Sequence, residues 1–92
     1  MYRLRFDSRF TRQLKALSGD VRAIARRHVR ALADDPRPAG VKELEGHPGH
    51  YRMWLPRGHR LVWQVLDDEY IVDLLYVGPK SPRLYERLGL GR

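Results

Sequence analysis

The run Gly58-His59-Arg60-Leu61-Val62-Trp63-Gln64-Val65 sets an arginine at the mouth of an otherwise apolar, strand-like segment. A strand that only filled a core would rarely carry one. Upstream lies Leu44-Glu45-Gly46-His47-Pro48-Gly49-His50-Tyr51-Arg52-Met53-Trp54, and downstream Val77-Gly78-Pro79-Lys80, followed by Arg83 and Tyr85. Guanidinium groups can hold a phosphate through paired hydrogen bonds and neutralise the charge that builds as it reacts. Tryptophan and tyrosine can stack on unpaired bases. The set therefore suits chemistry on a single-stranded nucleic acid. A plainer reading of the same residues is a cross-strand cation–π pair between Arg60 and Trp54 that serves only the sheet.

Positioning these groups falls to a hairpin. With Pro56-Arg57-Gly58 as a three-residue loop, Leu55 faces His59, Trp54 faces Arg60 and Arg52 faces Val62. Side chains alternate across a strand, so His50, Arg52, Trp54, Arg60, Val62 and Gln64 share one face. Tyr51, Met53, Leu55, Leu61, Trp63 and Val65 take the other. The second set is apolar and should pack on helices; the first should be open, with Arg60 exposed and its loss nearly neutral for stability. A slip of one residue would exchange the faces.

The remaining elements follow from periodicity and punctuation. Tyr2 to Phe6 alternates apolar and basic residues, as a half-buried strand does. Asp7 or Ser8 can cap a helix in which Phe10, Leu14 and Leu17 mark one face. Ser18-Gly19-Asp20 breaks it and starts a second, with Val21, Ile24, Ala25, His28 and Leu32 on one side and Arg22, Arg26 and Arg30 on another. Asp34-Asp35-Pro36-Arg37-Pro38 ends that helix. Tyr51–Leu55, Arg60–Leu66 and Tyr70–Val77 read as three strands. Ser81 and Pro82 read as the cap and first position of a short closing helix, stopped by Gly89. The expected fold is α+β: an N-terminal strand, an αα-hairpin packed on a twisted, mostly antiparallel sheet, and a short C-terminal helix. A DNA-reading helix-turn-helix fits poorly, since a sheet follows where a third helix would be needed.

At 92 residues the chain makes one small domain, 1–92, and its net charge of +7 comes mostly from arginine. A polyanionic partner is the leading inference from that charge. Without cysteine there is neither a disulfide framework nor a thiolate zinc site, and the histidines lack ligand spacing, so no metal or organic cofactor is implied. No apolar run approaches a membrane span. The absence of cysteine fits a reducing cytoplasm.

In order and spacing, the Leu-Glu-Gly, His-Arg-Leu-Val-Trp-Gln-Val and Val-Gly-Pro-Lys segments resemble the RelE/ParE family, the toxic halves of bacterial type II toxin–antitoxin pairs. The resemblance spans nearly the whole chain. For the RelE branch it implies a ribosome-dependent endoribonuclease that cleaves messenger RNA by 2′-hydroxyl attack on the neighbouring phosphate and so inhibits translation. An acidic antitoxin, the ribosome and mRNA are the implied partners. Arg52 matches the basic cluster on the sheet, Arg60 the strand arginine, Lys80 the residue after the last strand and Tyr85 the base-positioning aromatic. Trp54, Arg52, Arg60 and Arg83 are the candidate RNA contacts. Active members often carry a lysine where this chain has Trp54. Arginine is no general base, which leaves His50, with His47, Glu43 and Glu45 nearby, as a candidate proton acceptor and Lys80 as a donor. The ParE branch implies instead a non-enzymatic DNA gyrase poison. The missing lysine also admits a degenerate toxin retained to bind its antitoxin and regulate their operon.

Overall fold

The computed structural model describes residues 1–91. Strand β1 (Arg3–Arg5) leads into helices α1 (Ser8–Ala16) and α2 (Gly19–Ala31). Strands β2 (Lys42–Glu43), β3 (His50–Leu55), β4 (His59–Leu66) and β5 (Ile71–Pro79) follow, and then a short helix α3 (Leu84–Arg87). They form one five-stranded sheet in the order β1-β5-β4-β3-β2. β1 pairs in parallel with β5, and the other pairings are antiparallel. This is the expected α+β architecture.

Local chemistry explains the boundaries. The Asp7 carboxylate accepts the Phe10 amide at 3.0 Å and so caps α1. Ser18 separates the helices, but its hydroxyl donates to Asp20 at 2.8 Å and makes no bond to the helix end. One side of α1 and α2 supplies Phe10, Leu17, Val21, Ala25 and Leu32 to the core. These meet Leu55, Leu61, Trp63, Val65, Val72, Leu74 and Val77 from the sheet. Trp63 is fully buried, and its indole N–H donates to the Pro36 carbonyl at 3.0 Å. That bond pins the connection after α2. Arg37 pins it again, as a fork on Asp67 at 3.2 and 2.7 Å and as a donor to the Tyr51 hydroxyl at 2.8 Å.

Two expectations need correction, and one strand was not anticipated. Tyr70 does not open β5: it holds a left-handed conformation at φ 54° and its ring leans on Tyr2, so the strand begins at Ile71. Ser81 and Pro82 do not begin the last helix, which starts at Leu84 with Arg83 at its N-cap and no side-chain cap. Ser81 instead accepts from Arg87 at 2.6 Å. Strand β2, two residues pairing with Tyr51 and Arg52, is too short to leave a periodic signal.

The hairpin loop is tied to the helices. Arg57 sits at φ 57°, which an L-residue adopts at a cost of about 1–2 kcal/mol. Its guanidinium reaches Asp20 at 2.7 Å and Ser18 at 3.2 Å. The Arg57 bond, with those from Ser18 and the Val21 amide, lowers the Asp20 carboxyl to about 2. A depressed acid stabilises the fold above its unfolded pKa, here about 3.9, and loses that contribution as pH falls through the folded value. Stability measured from pH 5 to pH 2 should therefore fall more steeply in the native chain than in Arg57→Ala. Parallel curves would show that the pair contributes nothing.

Candidate functional site

The register of the hairpin places the candidate residues. His50 pairs with Gln64, Arg52 with Val62, Trp54 with Arg60 and Leu55 with His59, as a three-residue loop requires. The apolar face meets the helices as expected. The other face is open only in part. Val62 is fully buried and Arg60 is only 3% exposed. The reason is the C-terminal segment, which turns back over this side of the sheet. The Lys80 amide donates to the Gly58 carbonyl at 2.9 Å, Leu84 is buried, and the Tyr85 hydroxyl accepts from Arg60 Nη1 at 3.1 Å.

Arg60 is the centre of the arrangement. Its guanidinium carbon lies 3.2 Å from the centroid of the Trp54 ring, a close cation–π stack. Arg52 flanks the same ring at 6.0 Å. No carboxylate pairs with Arg60 among the described residues, and its buried Nε has no partner. Burial lowers the guanidinium's pKa; Tyr85 opposes that and Arg52 adds to it. A charge held this way is costly, because it is nearly buried with no carboxylate beside it and its Nε makes no hydrogen bond. Trp54 itself is 60% exposed, so the cover is one ring thick.

A bulge in β5 completes the site. Val62 pairs with Tyr76 and Trp63 with Leu74, which leaves Leu75 without a partner. The extra residue shifts the alternation, so that Val77 stays in the core while Tyr76 and Gly78 come to the site face. Gly78 lies directly opposite Arg60. A Cβ there would meet the Tyr76 hydroxyl oxygen at 2.8 Å, so only glycine lets the phenol cross above it. That hydroxyl donates to the Pro79 carbonyl at 2.7 Å, and burial raises its pKa while Arg87 opposes the shift. Tyr76 is a site-face residue that periodicity could not find, since the bulge alone puts it there.

The other candidates are distributed unevenly. Lys80 is exposed just past β5, two positions beyond Gly78. Arg83 points into solvent and pairs with Glu86 at 3.3 Å, a surface pair of small energetic weight. His50 lies four positions along β3 from Trp54, about 13 Å at strand rise. Its Nδ1 lies 3.3 Å from the Pro48 carbonyl, and its ring meets His47 edge-on at 5.9 Å. Arg60, Trp54, Arg52 and Tyr85 are thus together, with Lys80 at the rim and His50 apart.

No protein-family model matches the chain. Individual proteins do. It is 32% identical over 81 residues to the mRNA interferase toxin RelE of Escherichia coli K12, spanning 87% of this chain and 84% of that one. The chain belongs to the RelE toxin family. Solved structures agree. The toxin in the E. coli RelBE toxin–antitoxin complex superposes with a TM-score of 0.77 at 30% identity, over 88% of this chain and 99% of that one. The isolated E. coli RelE toxin gives 0.75 at 30% identity, over 95% and 94%. Within this RelE fold, the site face of the sheet carries the arginine–aromatic cluster described above.

The burial of Arg60 reverses the expectation that its loss would barely alter stability. An uncompensated cation replaced by an apolar side chain of similar length should relieve the fold. Arg60→Met is expected to raise the unfolding free energy by about 1–2 kcal/mol. Denaturant melts test this, and a loss of stability would mean that the Trp54 stack outweighs desolvation.

Proposed function

We propose that this chain is the toxin of a type II toxin–antitoxin pair and acts as a ribosome-dependent mRNA endoribonuclease. The observation that carries this is Arg60: a desolvated guanidinium with no anion, set among Trp54, Arg52 and Tyr85 in a RelE-family protein. In a dry setting, a fixed cation stabilises developing negative charge far better than it could in water. The 2′-hydroxyl oxygen attacks phosphorus as its proton passes to water, the 5′-oxygen of the next nucleotide leaves and takes up a proton, and a 2′,3′-cyclic phosphate remains. Arg60, with Arg52 beside it, holds the non-bridging oxygens and opposes their growing charge. Tyr85 and Trp54 position bases. Lys80 stands at the strand end as the proton donor to the leaving oxygen.

His50 is too far along β3 to take a proton from a hydroxyl whose phosphate sits at Arg60. Alignment and charge stabilisation therefore carry most of the rate in this reading, with the ribosome contributing part of the site. The gyrase-poison alternative has no comparable support, since the relatives named above are RelE proteins. An acidic antitoxin is the proposed partner, by analogy with the RelBE complex and by complement to the charge of +7. The cytoplasm, where translated messages are, is the proposed location.

The test is brief expression in bacteria, followed by growth measurement and primer extension on cellular messages. Cuts within translated frames are expected. Arg60→Met should lower cleavage on the order of a hundredfold or more, and Arg60→Lys should recover only part of it, because an ammonium cannot make the paired bonds. Growth arrest with gyrase-dependent DNA damage and uncut messages would overturn the proposal.

A further inference from the structure

Arg60 and the phosphate it would hold are separated, in the protein as it stands, by Trp54. The ring centroid is 3.2 Å from the guanidinium carbon, which leaves no space for another atom between them. Nη1 is committed to Tyr85, and Nε is buried without a partner. A phosphodiester approaching this face meets an indole before it meets the charge.

Trp54 is also the least restrained member of the cluster. Strand β2 pairs only with Tyr51 and Arg52, so β3 has no outer neighbour at Trp54. The side chain is 60% exposed, and its contacts with the two guanidiniums are the ring interactions it makes. It therefore lies between two like charges that repel one another, Arg60 beneath and Arg52 to one side. An arriving phosphodiester, with one negative charge shared between the two, would relieve their repulsion and weaken the electrostatic reason for the indole to stay.

We propose that Trp54 is a gate: at rest it stows Arg60, and single-stranded RNA gains Arg60 only by displacing the indole, which then becomes free to stack on a base. This rests on the RNA-cleaving reading above and deepens it. Gating makes the resting site weak toward stray RNA. Full engagement is reserved for a strand held long enough to exchange the indole for a phosphate. The residue that takes the place of a second cation thus controls access to the first one.

The test is a double-mutant cycle on the full chain, read as affinity for a short single-stranded oligonucleotide with 2′-deoxyribose at every position, which binds but cannot react. Trp54→Ala uncovers Arg60 but also removes the ring that would stack on a base, so the gate is read from the coupling. The change is expected to favour binding roughly tenfold more in the native chain than in an Arg60→Met background, the size of a desolvated cation–π contact. Folding of each variant is checked by its melt. An independent readout uses the unmodified protein: its two indole N–H signals in 15N NMR. Trp54 should shift on adding the oligonucleotide, while Trp63, bonded to Pro36, should not. Equal effects of Trp54→Ala in the two backgrounds would make Trp54 a stacking platform alone and overturn the gate, leaving the cleavage assay untouched. A still Trp54 signal at saturation would overturn it too.

Discussion

A positive charge without a counter-charge lies at the centre of this molecule. Arg60 is screened from water by an indole face and answered by one phenol hydroxyl, with a second guanidinium near enough to oppose it. Such a group cannot shed its charge at any accessible pH, so it cannot escape the penalty by deprotonating as a buried lysine could. The fold holds it there because other interactions are strong enough to do so.

The interactions that hold it lie mostly on the other side of the sheet. The helices and the buried faces of β3, β4 and β5 share one apolar core around Trp63. Polar ties then fix the elements at its margins, with Arg37 joining the loop after α2 to Tyr51 and Asp67, and Arg57 joining the hairpin loop to the start of α2. With β4 rigid on its core side, Leu61 and Trp63 fix the backbone between them, and the opposite-facing Arg60 is aimed by that constraint. The apolar core and the buried arginine thus share one strand but use alternate residues of it.

The strand alternation and the three-residue loop were readable in the sequence, and they gave the hairpin register correctly. So were the two helices, because Phe10, Leu17, Val21, Ala25 and Leu32 recur at helical spacing. What escaped was the covering of the site face. Leu84 and Tyr85 are too few to show a period, and nothing local indicates that residues after Lys80 fold back over Val62 and Arg60. An arginine in a row of polar residues reads as solvated, and only tertiary packing makes it buried. The bulge at Leu75 was equally silent, since an unpaired residue within an apolar run looks like any other. The roles of Arg52, Lys80 and Tyr85 came from family resemblance; spacing alone left the plain cation–π pair standing beside the phosphate site.

That bulge has a consequence for how the chain can change. It divides β5 into two lengths whose facing is set independently: Val72 and Leu74 before it, Val77 after it, all on the helix side despite the break in parity. A change of length by one residue beside Leu75 is therefore absorbed much as a loop change is. Losing Leu75 would leave a regular strand, with Tyr76 and Gly78 still on the side of Arg60 and Val77 still toward the helices. In β4, which pairs on both sides without a spare residue, a single deletion would instead exchange the two faces beyond it. The sheet's tolerance of changes in length is thus set by where its spare residue lies.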